Sequence, residues 1–335
     1  MVRIRHGWLV AALALGVSVG ACKKDEKKPA GDTAAAGSTA GTASGGGAAA
    51  KAGASDLDLL PVDSEVVLGI NFAQVQQSAL WKKFVEPQLM KDDTQKKLAE
   101  FKDKCGFDPL TAVTSVSVGL KGVGADTPDG IIVAHGADKG KMIGCLEKMK
   151  PEAEKDGDTV TIDGDVVTVK TKDGTSVAMT FANDSTLVLG IGANGTPDAV
   201  KAAAAGNSAL KSSPTFVDMH SKINTKDSLW LLMNGNSKAF DQAAAMGFKP
   251  KAVFGSLNVT DGLSMDLRIR VDSPDQAASL TNMAKGQLAA VQGMVDQVDV
   301  ANEGPDVKLT VAISATKLEQ LVAQFGGMMG GLGGM

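Results

Sequence analysis

The sequence predicts an α+β protein built from two tandem ferredoxin-like (split βαβ) repeats, with antiparallel sheets and helices packed on them. Short apolar, β-branched runs alternate with stretches of helical spacing. Asp-Gly pairs separate several of these runs, which is typical of antiparallel hairpins. A series of short motifs in the first half also recurs, in the same order, in the second half. With 335 residues and 44% hydrophobic residues, the chain can form a substantial core.

The first repeat is expected at residues 56–224 and includes an added β-meander. Leu98, Phe101 and Cys105 have the spacing of a core-facing helix stripe. Asp-Gly pairs at Asp156, Asp163 and Asp173 predict the hairpin turns of the meander. The predicted elements are the strand Glu65–Phe72, a helix from Ala73 to Val85 that is broken at Pro87 and resumes over Asp92–Lys104, the strands Val113–Leu120 and Ile131–His135, the helix Lys139–Lys150, the meander ending in the strand Thr186–Ile191, and short helices at Asp198–Ala205 and Pro214–Ile223.

The second repeat is expected at residues 225–325. It repeats four motifs of the first, which favours an internal duplication. The matched pairs are Asp63-Ser64 with Asp227-Ser228, Gly106-Phe107-Asp108-Pro109 with Gly247-Phe248-Lys249-Pro250, Ala112-Val113 with Ala252-Val253, and Asp129-Gly130 with Asp261-Gly262. Its predicted elements are the strand Leu229–Met233, the helix Ser237–Met246, the strand Leu263–Val271, the helix Pro274–Val295, the strands Gln297–Ala301 and Val307–Ser314, and the helix Thr316–Phe325.

The first 21 residues have the parts of a secretory signal peptide. Arg3, Arg5 and His6 form a basic head, and an apolar run too short to span a bilayer follows. The next residues, Val19-Gly20-Ala21-Cys22, resemble the bacterial lipobox. The resemblance implies that residues 1–21 are removed and that Cys22 carries the lipid. The alternative is an ordinary signal peptide with a chance cysteine.

Residues 22–55 are predicted to be a lipid anchor followed by a disordered Ala/Gly/Ser/Thr tether. As a random coil the tether would span on the order of 30 Å. Four lysines lie beside Cys22: Lys23, Lys24, Lys27 and Lys28. They would face anionic headgroups as a second membrane signal. The alternative is a run of charges that is simply solvated. By resemblance to lipoprotein sorting, lysine after the lipidated cysteine implies the outer membrane, on its periplasmic or surface face. Residues 326–335 are predicted to be a disordered Gly/Met-rich tail.

The expected mature domain opens with Leu60-Pro61-Val62-Asp63-Ser64. This opening resembles bacterial envelope lipoproteins of uncharacterised activity, whose mature domain begins Leu-Pro-x-Asp-Ser before a strand. The resemblance implies an envelope location and brings no activity with it.

With lipid on Cys22, the remaining cysteines of an exported chain are Cys105 and Cys145, and an even pair predicts a disulfide. The duplication aligns Cys105 with Met246, and Cys145 near Leu280 or Ala277. In the second repeat these are apolar positions on two helices that are expected to pack together, so the two cysteines should also lie close together. Two buried free thiols are the alternative. A catalytic thiol is disfavoured because neither cysteine has a Cys-x-x-Cys motif or a nearby histidine.

Other candidate sites are weaker. Residues 190–195 spell Gly-x-Gly-x-x-Gly but lack the parallel strand and acidic residue of a dinucleotide site, so no cofactor is predicted. His135 and His220 are too far apart in sequence for zinc-ligand spacing. Asp156-Gly157-Asp158 and Asp163-Gly164-Asp165 lack the later glutamate of a calcium loop. Copper(I) binding by the tail methionines is less expected than a frayed terminus.

These patterns predict a membrane-anchored envelope lipoprotein that is not an enzyme and acts as a binding or structural module. The alternative is a periplasmic carrier or chaperone of an apolar ligand, suggested by 14 methionines and no tyrosine. A hydrolase would require a pocket that converges on His135 or His220. The formal charge of −4 without a basic stripe argues against nucleic acid. An aromatic content of 4% disfavours stacking on sugars or bases.

Overall fold

The computed structural model describes residues 55–123, 128–207, 209–237, 240, 249–288 and 292–321. These residues fall within one compact unit, Ala50–Met335. The signal peptide, Cys22, nearly all of the tether, the tail and most of the predicted helix Ser237–Met246 lie outside the described residues. Within the described ranges, no helix is both long enough and apolar enough to cross a membrane.

Twelve strands form a single sheet in which every neighbouring pair is antiparallel. In chain order the strands are β1 (Val66–Asn71), β2 (Ser115–Lys121), β3 (Asp129–His135), β4 (Thr159–Asp163), β5 (Val166–Lys170), β6 (Ser176–Asn183), β7 (Thr186–Ile191), β8 (Leu229–Asn234), β9 (Ala252–Asn258), β10 (Gly262–Arg270), β11 (Gln297–Glu303) and β12 (Asp306–Ser314). Across the sheet the order is β11-β12-β10-β9-β8-β1-β2-β3-β7-β6-β5-β4. The predicted α+β class is therefore confirmed.

Helices lie on both faces of the sheet. Their starts follow local sequence: Thr196 caps the N-terminus of α7 and Pro197 occupies its first turn. The helices are α1 (Asp56–Leu59), α2 (Phe72–Gln77), α3 (Glu86–Leu89), α4 (Asp92–Cys105), α5 (Pro109–Ala112), α6 (Lys139–Lys155), α7 (Pro197–Ala204), α8 (Pro214–Ser221) and α9 (Pro274–Gln287), with a π-helix at Trp81–Val85, 3₁₀ turns at Gly192–Asn194 and Leu210–Ser212, and helical residues 315–321.

The strand order differs from the predicted split βαβ order, which requires strands joined by a crossover helix to lie parallel. β1 and β2 are joined by helices, yet they pair antiparallel. The amide of Ala73, at the start of this connection, donates to the carbonyl of Thr114 at its end, 3.1 Å away. The helical connection therefore leaves and re-enters the sheet at the same end. This geometry returns the chain antiparallel to β1.

Several element boundaries also differ from prediction, two of them in stretches that contain glycine. The Asp156-Gly157 pair ends α6 instead of forming a hairpin: Gly157 has a φ of 94°, and the Asp158 amide donates back to the Ala153 carbonyl. Helix α9 ends at Gln287, before the predicted Val295, and Gly286 and Gly293 in this stretch lower helical stability. The other two Asp-Gly pairs lie in the connections of the meander β4–β7.

One face of the sheet, here the α7 face, carries a buried core. Val67, Ile131, Leu232 and Phe254 point to this face and pack under α1, α7 and α8. The helices contribute the buried residues Leu57, Leu59, Leu60, Val200, Ala203, Leu210, Phe216 and Met219. On the opposite face, here the α9 face, α9 packs on the strands at one end of the sheet. At the other end, α6 packs against β4 and α4.

A buried ion pair fixes α8 to the strands near β12. Asp306 is fully buried and accepts two hydrogen bonds from Arg270, at 2.6 and 3.0 Å, and one from Lys222 at 3.1 Å. Burial raises the pKa of Asp306, but the hydrogen bonds and charges of Arg270 and Lys222 outweigh it and hold the pKa below its usual value. The carboxylate is therefore charged and fully paired, which is the condition for tolerating a buried charge.

The two halves of the chain meet where β1 pairs with β8. Val67 lies opposite Leu232, and Gly69 lies opposite Trp230. A Cβ atom on Gly69 would lie 2.0 Å from the Trp230 ring, so only glycine fits beneath this indole. Trp230 can therefore lie flat across the junction and contribute to the core of the α7 face.

We expect Gly69→Ala to destabilise the fold by about 1–3 kcal/mol, because the added methyl group overlaps the Trp230 ring. The measurement is urea-induced unfolding. Gly144→Ala is the matched control, since a Cβ atom there has no neighbour within 4 Å and helix α6 should gain about 1 kcal/mol. Equal stability of Gly69→Ala and the wild type would contradict the described packing, whereas rescue by Trp230→Leu would support it.

Candidate functional site

A polar cluster lies where the described chain enters the fold. Asp56, at the start of α1, accepts a hydrogen bond from Ser117 on β2, and its Oδ1 lies 2.6 Å from Nε2 of His135 on β3. Thr186 on β7 contacts Nδ1 of the same histidine at 3.3 Å. Strand alternation places Ser117, His135 and Thr186 on the α7 face, beneath α1.

The cluster stabilises opposite charges on Asp56 and His135. The hydrogen bond with Asp56 raises the pKa of His135, and burial opposes this shift only in part. Burial raises the pKa of Asp56, but the hydrogen bonds of His135 and Ser117 outweigh it, so the pKa lies below its usual value. This arrangement ties the start of the folded chain to three strands.

His220 lies on the same face, with its ring edge-to-face on Trp230 at 5.7 Å between centroids. Burial lowers the pKa of His220, and the charge of Asp56 only partly opposes this effect. The fold thus brings together two histidines that are 85 residues apart in sequence, in the region of Asp56. Within the described ranges, no group of three or more His, Cys, Asp or Glu side chains is placed to hold a metal ion.

The hydroxyl groups of this cluster, on Ser117 and Thr186, are buried. Thr186 is only 5% exposed, so its hydroxyl is shielded from a substrate. The chemistry available to Asp56 and His135 is therefore a charged hydrogen bond that docks α1.

A narrow apolar crevice lies away from this cluster, between residues 79–83, 259–262 and 315–319. At this crevice the Lys83 ammonium lies 3.1 Å from the Glu319 carboxylate.

This pair should stabilise the fold most between about pH 4 and pH 6.5, the usual pKa values of the two groups. The stabilisation is lost as pH rises through the raised pKa of His135 and as pH falls through the lowered pKa of Asp56. We expect His135→Asn to lower the free energy of unfolding by about 1 kcal/mol at pH 5.5 and by less at pH 9, measured by urea unfolding.

His220→Asn is the control for this experiment. Because burial lowers the pKa of His220, its neutral form is the stabilising one, and the variant should lose less stability at pH 5.5 than at pH 9. Equal losses for His135→Asn at both pH values would contradict the charged pair.

The predicted disulfide is present in the structure. Cys105, the last residue of α4, is bonded to Cys145 in α6, with 4.5 Å between their Cα atoms. Both cysteines are buried, and the Met149 sulfur lies 3.6 Å from the Cys145 sulfur. The bond fixes the end of α4, which otherwise has few contacts with the sheet. The proposed lipidation site, Cys22, lies outside the described residues.

The glycine-rich motif at residues 190–195 is explained by close backbone contacts. A Cβ atom on Gly190 would lie 1.9 Å from the Asn194 carbonyl oxygen, and one on Gly195 would lie 2.2 Å from that of Ser176. The preceding strand, β7, is antiparallel to both of its neighbours. The glycines at 190 and 195 therefore allow close approach of the chain's own backbone.

The two Asp-Gly-Asp motifs serve local structure. Asp158 accepts a hydrogen bond from the Lys172 amide at 3.2 Å, and Asp165 forms an ion pair with Lys139. The first contact joins the start of β4 to the β5–β6 turn, and the second joins the meander to α6.

The α9 face has a less buried, apolar centre. Its side chains alternate with those of the buried core on the other face, since neighbouring strand residues point to opposite sides. Leu68 lies opposite Val118 and Leu231, and Leu229 lies opposite both Ile70 and Leu257, so the surface is continuous across strands. We name this surface the central apolar face; its half-buried members are Leu68, Ile70, Val116, Ile132, Leu229, Leu231, Met233, Val253, Leu257, Met265 and Leu267.

Buried side chains lie at both ends of the same face, and at its centre Val66 and Val118 are buried among the half-buried residues. Toward β4, Val169, Met179 and Leu189 are buried, and toward β11, Val300 and Val307 are buried beside α9. The centre therefore combines apolar side chains with residual exposure. Periodicity in the sequence indicates that these strands are apolar on both faces, but not which face is less covered.

No protein-family model matches this chain. No curated protein matches it either. One solved structure, described as "Structure of crystal form III of TP0453", aligns with a TM-score of 0.44 and 11% sequence identity. The alignment covers 82% of this chain and 100% of that one.

Proposed function

We propose that this chain is a membrane-anchored envelope lipoprotein, held by lipid on Cys22, and that it serves as a non-enzymatic binding module. The binding surface is the central apolar face. The observation that carries the proposal is that most apolar side chains at the centre of this face are half-buried rather than buried. Continuous apolar surfaces with residual exposure are typical of binding sites.

The point where the chain enters the fold supports this arrangement. Helix α1 begins at Asp56 and packs on the α7 face, where Leu57 and Leu59 are buried. A tether that ends there joins the body on the side opposite the central apolar face. Attachment to a membrane through Cys22 therefore leaves the proposed binding surface accessible.

We also propose that the fold arose by internal duplication, with copies at residues 56–224 and 225–325. The strand order supports this, because β1, β2, β3, β7 and β6 on one side of the junction mirror β8, β9, β10, β12 and β11 on the other. One helix, α6 or α9, follows the third strand of each copy. The serines that precede β1 and β8, Ser64 and Ser228, are both buried.

The lipid anchor is tested by metabolic labelling with radioactive palmitate. We expect the full chain to incorporate label and to fractionate with the outer membrane, and Cys22→Ala to incorporate none. Label in Cys22→Ala, or a wild-type chain that is exported without label, would contradict the anchor.

The binding surface is tested by cross-linking and affinity purification of the lipidated chain from its envelope. We expect Leu231→Thr/Leu257→Thr/Met265→Thr to reduce recovery of the cross-linked envelope partner at least fivefold, because threonine keeps strand propensity but removes apolar contact. The control, Val217→Thr/Met283→Thr, changes exposed apolar residues elsewhere and should retain the partner. No envelope partner, or equal recovery by both variants, would contradict the proposal.

A second candidate is a carrier of an apolar ligand bound to the same face. It is favoured by Met233 and Met265, since flexible methionine side chains adapt to irregular apolar ligands. Native mass spectrometry should then show a co-purified lipid that the Leu231→Thr/Leu257→Thr/Met265→Thr chain has lost. A ligand-free mass for the wild-type chain would contradict this candidate.

A further inference from the structure

The helical segment between β1 and the disulfide is unusually exposed. We name residues 79–104 the helical arm. Every side chain in this range is half-buried or exposed. The arm is held at both ends, because Ser78 before it is fully buried and Cys105 after it is bonded to Cys145. It is therefore fixed to the body, through α6 and through the crevice that residues 79–83 share with residues 259–262 and 315–319.

Apolar side chains on the first part of the arm face solvent. Phe84 is 39% exposed, Val85 is 36% exposed and Met90 is 58% exposed. Trp81 lies in the same helical stretch and is half-buried. Single exposed apolar residues are ordinary on a protein surface, whereas three within seven residues concentrate exposed apolar area in this stretch.

Lysines accompany these apolar side chains. The helical arm contains seven lysines and five carboxylates, whereas the whole chain has a formal charge of −4; one of these lysines, Lys83, is paired with Glu319. Lys82 and Lys91 are exposed, and the Lys83 ammonium lies 5.9 Å from the centre of the Phe84 ring. A basic stretch with exposed apolar side chains on an acidic protein is complementary to an anionic surface with an apolar interior.

We propose that the helical arm docks on the anionic surface of a phospholipid bilayer, with Phe84, Val85 and Met90 in the headgroup region and Lys82 and Lys91 against the phosphates. A basic and apolar contact adds membrane affinity to that of a lipid anchor. The inference goes beyond the lipid on Cys22, since the arm carries its own affinity. Contact at the arm would orient the body on the membrane.

The test uses the full mature chain with Cys22→Ser, which removes any acyl anchor. We expect it to co-sediment with vesicles of phosphatidylglycerol and phosphatidylcholine, and far less with phosphatidylcholine alone. Binding should shift Trp81 fluorescence to the blue, whereas Trp230 is already buried. Each of Lys82→Gln and Lys91→Gln should weaken binding about fivefold, and 0.5 M salt should weaken it further.

Phe84→Ser/Val85→Ser/Met90→Ser should abolish the sedimentation and the blue shift. The matched control, Val62→Ser/Val217→Ser/Met283→Ser, removes exposed apolar side chains outside the arm and should bind like the parent chain. Failure of the parent chain to bind anionic vesicles, or equal binding by both triple variants, would overturn the proposal. The proposal would also be overturned if the arm variant lost a protein partner and the parent chain did not bind vesicles.

The outcome is independent of the proposed lipid anchor. A chain that takes up no palmitate but binds vesicles through the arm would support the arm and contradict the anchor. A chain that is acylated but binds no vesicle once Cys22 is replaced would support the anchor and overturn the arm.

Discussion

The pairing of β1 with β8 is the interaction on which the rest of the described structure depends. It joins two strand sets that would otherwise each expose an unpaired edge, a known liability for sheets. Hydrogen bonds close the pair at both ends: the Asn71 amide donates to the Ser228 carbonyl, and the Asn234 amide donates to the Glu65 carbonyl, each at 2.9 Å. The absence of a side chain at Gly69 lets Trp230 cover this junction. One continuous sheet results instead of two separate ones.

The same pairing creates the core and the proposed binding surface together. Val67 and Leu232 face α7 and α8, while their neighbours Leu68 and Leu231 point to the opposite side. Helix α9 packs on that opposite side near β11 and β12. The central apolar face therefore follows from joining two sets of strands, because the pairing makes their apolar side chains one continuous surface.

Local features were predictable from the sequence, and long-range ones were not. The strand Thr186–Ile191 has its predicted bounds because the Asn183 side chain fixes the preceding turn. The Cys105–Cys145 bond was predictable because two cysteines remain once Cys22 is set aside, and an even pair would form a disulfide if the chain were exported. The split βαβ prediction was wrong because the order of elements does not reveal at which end a helical connection re-enters the sheet. The Asp56–His135 contact spans 79 residues, and no motif marks it.

Native-state hydrogen–deuterium exchange at the β1–β8 junction tests the central claim most directly, since amides within one cooperative unit open together. The structure predicts that the amides of Val67, Gly69, Leu231 and Leu232 exchange slowest. It also predicts that these amides and those of the neighbouring strands β2 and β9 share one opening free energy. In Gly69→Ala the whole group should exchange faster together. Two sets of opening free energies, with residues 229–314 exchanging independently of residues 66–191, would contradict a single sheet joined at this pair.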